Sequence, residues 1–276
     1  MKAWISVDME GVSGIVDREQ LMPSARLYDT SRAWMMADLE AVLDGILQDS
    51  AVDCVVVNDS HDGMLNLPWN KFRRGVELIS GGNKPGSMNA GVEEADFALY
   101  VGYHAMAGTQ DAIMDHTYSG EIRQVRLNGM PVGETGINAA IAGHHGVPVI
   151  LVSGDGAVAE EARALLPWVE TAPVKWARSR RSARLLPPEE AYALIRAKTA
   201  NALARYRQGE VKPWTVELPA RLEVDLMTTD MADRAMFCPY MERVSATAVG
   251  QMFDSIAELF RGFYTVMALA SGRPLY

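Results

Sequence analysis

The chain has 276 residues, of which 49% are hydrophobic and 22% are charged, and its formal net charge at pH 7 is −9. This composition is typical of a globular protein with one large domain, or with one domain and a smaller one. An acidic chain lacks the basic footprint of a nucleic-acid surface, so we predict no nucleic-acid partner. The two cysteines do not form the framework of a disulfide-rich secreted domain.

The N-terminal segment is not typical of a signal peptide, because its apolar run is short and is interrupted by Asp8 and Glu10. No apolar run in the sequence approaches the roughly 20 residues that a membrane-spanning helix needs. Together with the absence of a disulfide framework, these features lead us to expect a cytoplasmic protein that does not associate with membranes.

Strand and helix patterns alternate through the first two thirds of the chain. In chain order, we predict a strand over residues 4–7, a helix over 29–49, strands over 53–59, 77–80 and 96–103, a hairpin over 121–132, a helix over 135–144, a strand over 147–152 and a helix over 157–166. Such alternation predicts an α/β fold with a mainly parallel sheet flanked by helices.

The composition changes near residue 174, where a basic cluster formed by Arg178, Arg180, Arg181 and Arg184 precedes a helix that ends near residue 206. We interpret this cluster as a solvated or subunit-facing patch.

Strands over 216–227 and 244–250 and a helix over 252–269 follow, and the apolar stripe of the last helix needs either the domain's own sheet or another subunit as its partner. We therefore expect a metal-binding catalytic α/β domain over 1–173. A smaller α+β region over 174–276 is expected to supply oligomer contacts.

Two acids follow the first strand. Asp8 and Glu10 are two residues apart, so in an extended chain their side chains point the same way. Carboxylates this close repel each other unless a positive charge lies between them, and a metal ion is the simplest candidate. A solvated strand end is the alternative. Gly11 ends the strand and permits a close approach of the backbone.

Histidines follow the next two buried strands. His61 comes after the second strand and His104 after the strand over 96–103. Ligands of parallel sheets bind beyond the carboxyl ends of the strands, where Asp8 and Glu10 also lie. Each histidine alone could simply cap a strand, but together with the acids they predict a metal site. Mixed imidazole and carboxylate ligands suit zinc or another divalent first-row ion.

Glu134 precedes a helix and is either a fifth ligand or an ordinary acid that stabilises the helix dipole. Five ligands exceed the needs of one tetrahedral zinc ion. They fit two ions that share a bridging carboxylate, with water or hydroxide as the nucleophile. His116 lies in a polar loop outside this set, as a surface histidine or as a general acid, base or oxyanion stabiliser. His144 and His145 close a helix and need no further role.

Several motifs follow one another in a fixed order: S-V-D-M-E-G-V-S-G at 6–14, V-N-D-S-H at 57–61, I-S-G at 79–81, G-Y-H-A at 102–105, M-x-H at 114–116 and N-G-x-P-V-G-E-x-G-x-N at 128–138. By these motifs the sequence resembles the zinc-dependent D-aminopeptidases of the dipeptide-permease-operon type. The order and length of these motifs make the resemblance specific.

This resemblance implies a role for each candidate residue. Asp8 would bridge two zinc ions, with Glu10 and His104 completing one site and His61 and Glu134 completing the other. His116 would match the family's catalytic histidine. The resemblance also implies a homo-oligomer, in the form of a decameric ring, that acts on short peptides with D-residues at the N-terminus.

Three functional hypotheses follow. The first is a binuclear zinc aminopeptidase that hydrolyses short peptides by a metal-bound hydroxide assisted by His116. The second is a metal-dependent amidohydrolase or esterase that uses the same site on another small substrate. The third is a non-catalytic metal-binding ring protein, for which His116 is dispensable.

Overall fold

The computed structural model describes residues 1–272 as twelve strands and six α-helices with connecting loops. The strands are β1 (Lys2–Val7), β2 (Cys54–Asp59), β3 (Val76–Ile79), β4 (Phe97–Tyr103), β5 (Ile122–Leu127), β6 (Met130–Val132), β7 (Val149–Asp155), β8 (Glu170–Ser179), β9 (Ser182–Leu185), β10 (Ala220–Leu226), β11 (Glu242–Arg243) and β12 (Ala248–Phe253). The helices are α1 (Tyr28–Ile46), α2 (Glu134–His144), α3 (Gly156–Leu165), α4 (Pro188–Arg207), α5 (Thr229–Ala235) and α6 (Ile256–Ala270).

The larger sheet has seven strands in the order β3-β2-β1-β4-β7-β8-β9. Neighbouring strands are parallel except for β9, which is antiparallel to β8. Side chains alternate along β1, so that Ile5 joins a core formed with α1 and α4, whereas Trp4 joins a second core on the opposite face with α2 and α3. Helices thus cover both faces, which confirms the predicted α/β fold with a mainly parallel sheet.

The smaller sheet has five antiparallel strands in the order β11-β12-β10-β5-β6. Its turn between β5 and β6 is formed by Asn128 and Gly129, which have φ values of 49° and 80°. Two successive positive φ values favour an Asn-Gly pair and match the twist of a hairpin, as the sequence predicts. The apolar face of α6 packs on this sheet, so the domain's own sheet partners that helix.

The sequence patterns miss three strands, β8, β9 and the two-residue β11, and one short helix. Strands β8 and β9 occupy the segment read as a basic stretch, because arginines and Pro173 obscure the apolar alternation there. Helix α5 is short and lacks a sustained apolar period. The division of the chain at residue 173 stays a prediction; β8 runs across that position, and β5 pairs with β10.

Within residues 1–272, no helix has both the length and the apolar character that crossing a membrane requires. Cys54 and Cys238 are free thiols, and Cys54 is only half-buried.

Candidate metal centre

The central strands of the larger sheet end side by side at one edge. Strand β1 lies between β2 and β4, and Val7 at its end is in register with Asp59 and Val101. Parallel register therefore brings the residues that follow the three strands to the same place. Asp8 and Glu10 follow β1, and the two histidines that follow β2 and β4 lie beside them.

Glycines let the chain after β1 pass close to the end of β4. The amide of Gly11 donates a hydrogen bond of 2.8 Å to the carbonyl oxygen of Gly102. A Cβ atom at Gly11 would lie 1.9 Å from the carbonyl oxygen of Tyr103, which no side chain tolerates. Gly102 has a φ of 70° and would place a Cβ atom 2.4 Å from the carbonyl oxygen of Asp8. Both positions require glycine, as the sequence predicts for Gly11.

The five candidate ligands form one buried cluster. Asp8 faces two histidines, with Oδ1 at 3.4 Å from Nδ1 of His61 and Oδ2 at 3.4 Å from Nε2 of His104. Glu10 Oε2 lies 3.0 Å from Nδ1 of His61, and Glu134 Oε1 lies 3.3 Å from Nε2 of His104. The carboxylate of Asp8 thus occupies the centre of the cluster, with one oxygen toward each imidazole.

His116 joins this cluster from the loop between β4 and β5. Its ring stacks on that of His104, with ring centroids 4.0 Å apart and an interplanar angle of 11°. Its Nε2 atom lies 3.8 Å from Oε1 of Glu134 and 4.0 Å from Oε1 of Glu10. The structure therefore brings together all six site residues that the sequence predicts.

Each of the three histidines has one ring nitrogen next to a main-chain carbonyl oxygen and the other toward the acids. The carbonyl contacts are His61 Nε2 to Leu21 at 3.3 Å, His104 Nδ1 to Ala105 at 3.1 Å and His116 Nδ1 to Met114 at 2.9 Å. A carbonyl oxygen only accepts, so in the neutral rings these nitrogens carry the proton. The remaining nitrogens then present lone pairs to the cluster, as metal-binding histidines do.

Among the described residues 1–272, two buried polar atoms at the centre of the cluster have no hydrogen-bond partner. They are Oδ2 of Asp8 and Nε2 of His104, which face each other. An unpaired buried polar atom is costly, whereas a cation between the two atoms would satisfy both. This donor set of carboxylates and imidazoles therefore fits a divalent first-row ion.

Comparisons with known proteins identify the family of this chain. The profile of peptidase family M55, described as D-aminopeptidase, matches residues 1–265. The chain belongs to the D-aminopeptidase family. The D-aminopeptidase of Bacillus subtilis strain 168 is a relative that is 35% identical over 272 residues, which cover 98% of each chain. Family membership makes this chain an aminopeptidase and confirms the expected enzyme class, a hydrolase of peptide bonds.

A solved structure shares the whole architecture of this aminopeptidase. It is described as the Zn-dependent D-aminopeptidase DppA from Bacillus subtilis, a self-compartmentalizing protease. The two chains superpose with a TM-score of 0.94 at 35% sequence identity, and the match covers 100% of both. The family that the motifs resemble and the fold class that they predict are thus both confirmed.

The electrostatics of the aminopeptidase cluster indicate a need for positive charge. Burial, and then the charge of Glu10, raise the pKa of Asp8 to about 7. Burial alone would lower the pKa of His61, but Glu10 and Asp8 hold it well above its ordinary value. Burial would also lower the pKa of His104, but the charge of Glu134 outweighs this effect and raises that pKa well above its usual range. The acids thus favour a positive charge at the centre of the cluster.

His116 differs electrostatically from the other two histidines. Burial, and then the neighbouring charge of His104, lower the pKa of its imidazole. Its side chain is 24% exposed, whereas those of Asp8 and His104 are 4% and 1% exposed. His116 therefore lies on the solvent side of the cluster.

Lys175 supports the site and was not identified from the sequence. It is fully buried on β8, and its ammonium group donates to the main-chain carbonyl oxygens of Glu10, Val12 and Ile15. Burial lowers its pKa to about 8. A lone lysine in a strand pattern normally predicts a solvent-facing position, so no sequence signal indicates this role.

The loop that carries His61 has its own support. The amide group of Asn66 donates to the carbonyl oxygen of His61 at 2.7 Å and to Oδ1 of Asp59 at 2.8 Å. The other carboxylate oxygen of Asp59 accepts the main-chain amides of Asn66 and Leu67. Asp59 at the end of β2 thereby closes the loop, and Asn66 orients the backbone of His61.

Proposed function

We propose that this family member is a zinc-dependent aminopeptidase that releases N-terminal residues, D-residues above all, from short peptides. The observation that carries the proposal is the position of Asp8, whose two carboxylate oxygens face different histidines at equal distances of 3.4 Å. A carboxylate in this position suits a bridge between two cations. The zinc dependence stated for the related B. subtilis structure supports the choice of metal, and manganese or cobalt would accept similar ligands.

We propose that the two ions share one ligand and that each ion has two further ligands of its own. Asp8 would be shared by both ions, Glu10 and His104 would hold one, and His61 and Glu134 would hold the other. In support of the first set, ligand atoms of Asp8, Glu10 and His104 all lie within 4.8 Å of one another. In the structure Glu10 also approaches His61, and Glu134 approaches His104. Metal analysis of single Glu10 and Glu134 variants, each expected to keep one ion, tests this division.

Divalent ions bound here would polarise the scissile carbonyl group and provide the metal-activated hydroxide that the sequence predicts as nucleophile. His116 supplies the proton transfer that peptide hydrolysis also needs. Its Nδ1 proton is engaged by the carbonyl of Met114, which leaves Nε2 free on the solvent side. We infer that Nε2 takes up a proton during attack and delivers it to the leaving amine.

Assembly and location follow as further parts of the proposal. The related structure is described as self-compartmentalizing, which supports a homo-oligomer, and the sequence resemblance implies a decameric ring. Phe237 and Tyr240 are 79% and 85% exposed, and they offer apolar contacts in the region over 174–276. The two free thiols support a cytoplasmic location. Light scattering that gives a single-chain mass of 30.2 kDa at micromolar concentration would contradict the oligomer.

A substrate panel tests the activity. Zinc-loaded protein is assayed with D- and L-alanyl p-nitroanilides, alanine amides, dipeptides and aminoacyl esters, and with N-acetylated dipeptides as the matched control. We expect D-aminoacyl substrates with a free amino terminus to be cleaved, and the acetylated peptides to be left intact. Turnover of acetylated amides or of esters alone would indicate an amidohydrolase or esterase. Fully loaded protein without any turnover would indicate a non-catalytic metal-binding protein.

A further inference from the structure

The loop that carries His116 has a strained backbone. It connects β4 to β5 through residues 104–121, and three of its non-glycine residues have positive φ values: Asp111 at 55°, Met114 at 49° and Tyr118 at 60°. Left-handed conformations are disfavoured for side chains with a Cβ atom, so they persist only where the surroundings hold them. The contacts of this loop therefore determine where the imidazole of His116 lies.

Arg180 holds this loop at the residue before His116. Its Nε atom donates to Oδ1 of Asp115 at 2.6 Å, and its Nη2 atom donates to the main-chain oxygen of Asp115 at 2.6 Å. The carbonyl oxygen of Arg180 accepts the amide of Met114 at 2.9 Å. Asp115 in turn uses Oδ2 to accept the amide of Gly108 at 2.7 Å. One arginine thus engages both Met114 and Asp115.

These contacts act on the ring of His116 from its immediate neighbours. Met114 provides the carbonyl that accepts from Nδ1 of His116, and the main chain of Arg180 binds the amide of that same residue. Further anchors hold the same loop: Asp155 accepts the amide of Ile113, and Glu134 accepts the amide of Tyr118. Arg180 contacts the residue directly before His116, and Thr117, the residue directly after it, accepts the amide of Ala107.

Arg180 and Arg181 are the two residues that connect β8 to β9, and only the first reaches the loop. The guanidinium of Arg181 faces Asp17 at 3.9 Å, and its side chain is 59% exposed, close to the 55% of Arg180. Asp115 is 14% exposed, but the arginine of the pair is solvent-exposed, and ion pairs with an exposed partner contribute little to folding stability. The bidentate contact to Asp115 therefore matters for the geometry of the loop more than for the stability of the fold.

We propose that Arg180 is a positioning residue that orders the His116 loop and holds the imidazole against the metal cluster. The proposal rests on the function proposed above for His116. A small displacement of a proton-transfer group costs a large factor in rate, even where the change lies outside the site. Arg180 belongs to the basic cluster described in the sequence. Its proposed role in the reaction depends on contacts with residues that are not proposed metal ligands.

The first test compares two neighbouring arginines with matched charge and exposure. Arg180→Ala should lower kcat about 10- to 100-fold while KM, the metal content and the midpoint of thermal unfolding stay near wild type. Arg181→Ala should behave as wild type. Arg180→Lys should recover only part of the rate, because a lysine lacks the planar fork. Equal kcat values for Arg180→Ala and Arg181→Ala would overturn the proposal.

The second test asks whether Arg180 acts through His116. In a His116→Ala background, Arg180→Ala should produce no further loss of kcat, since the group that it positions is gone. The same fold loss in both backgrounds would show that Arg180 acts elsewhere and would overturn the positioning role.

The third test does not depend on turnover. Diethylpyrocarbonate modifies accessible, unprotonated imidazoles, and the exposed His144 and His145 serve as internal references. Arg180→Ala should raise the modification rate of His116 several-fold by mass spectrometry, and Arg181→Ala should not. An unchanged rate at His116 overturns the proposal. Wild-type turnover by His116→Ala would instead contradict the function proposed for His116, so the two failures are distinguishable.

Discussion

The buried ammonium group of Lys175 donates a hydrogen bond of 2.5 Å to the main-chain carbonyl oxygen of Glu10. The same group donates to the carbonyl oxygens of Val12 and Ile15. Three carbonyl oxygens that follow β1 thus accept from one ammonium group on β8. In the sheet, β4 and β7 lie between β1 and β8. The loop that carries the Glu10 carboxylate is therefore held in place by a strand distant in sequence.

Lys175→Met should lower the free energy of unfolding by about 2–4 kcal/mol. Each buried acceptor left without a partner costs about 1–3 kcal/mol, and the removal of a buried charge offsets part of that loss. Zinc affinity should fall as well, because the backbone of Glu10 loses its support. Urea unfolding and chelator competition measure the two effects. Lys198→Met removes a surface pair with Glu170 and is the control; equal effects of both variants would refute the role of Lys175.

Metal content tests the bridging position of Asp8. Wild-type protein should bind about two divalent ions per chain, because five candidate ligands exceed the needs of one site. Asp8→Ala should lose both ions, and Glu40→Ala, which alters an exposed acid of α1, should keep them. Elemental analysis after zinc loading and gel filtration measures both. Wild-type protein that binds no metal even after loading would end the metalloenzyme hypothesis.

His116→Ala should retain both metals and the fold but lose roughly 10²–10⁴-fold in kcat, the usual range for a general acid–base group. The reason is that Nε2 of His116 lies at the solvent side of the cluster, outside the five proposed ligands. His144→Ala changes an exposed histidine and is the matched control. Loss of zinc from His116→Ala would make His116 a ligand, and full turnover would make it a simple loop residue.

Asp38 provides a pH-dependent prediction at a residue outside the proposed metal ligands. Burial raises its pKa from 3.8 to about 6, although one oxygen accepts the amide of Ser13. A raised carboxyl pKa means that the unfolded state loses its proton first as pH rises. The contribution of protonated Asp38 to stability is therefore complete below pH 3.8 and is lost as pH rises through about 6.

Asp38→Asn cannot ionise, so its free energy of unfolding relative to wild type should increase between pH 4 and pH 7. The full increase is about 3 kcal/mol, from a shift of roughly two pKa units at 1.36 kcal/mol each. Urea unfolding of both proteins at several pH values measures the difference. A difference independent of pH would show that Asp38 ionises normally in the folded protein.

The sequence alone determined the sheet edge and most of the cluster. Buried strands alternating with helices require parallel neighbours, and parallel strands end at the same edge, so Asp8, Glu10, His61 and His104 were predictable from their positions after strands. The Asn128-Gly129 turn was predictable because its residues determine its backbone conformation locally. These inferences need only the periodicity of strands and the chemistry of short segments.

The sequence left Glu134 and His116 open between structural and functional roles, because neither follows a strand of the larger sheet, and the resemblance implied their functional roles. Tertiary structure alone decided that the His116 ring stacks on His104, since the contact joins a loop to a strand end. It also decided that Lys175 points inward and that Arg180 reaches Asp115. A charged side chain is stable when buried only where several acceptors converge on it, and such convergence from distant segments leaves no local pattern in the sequence.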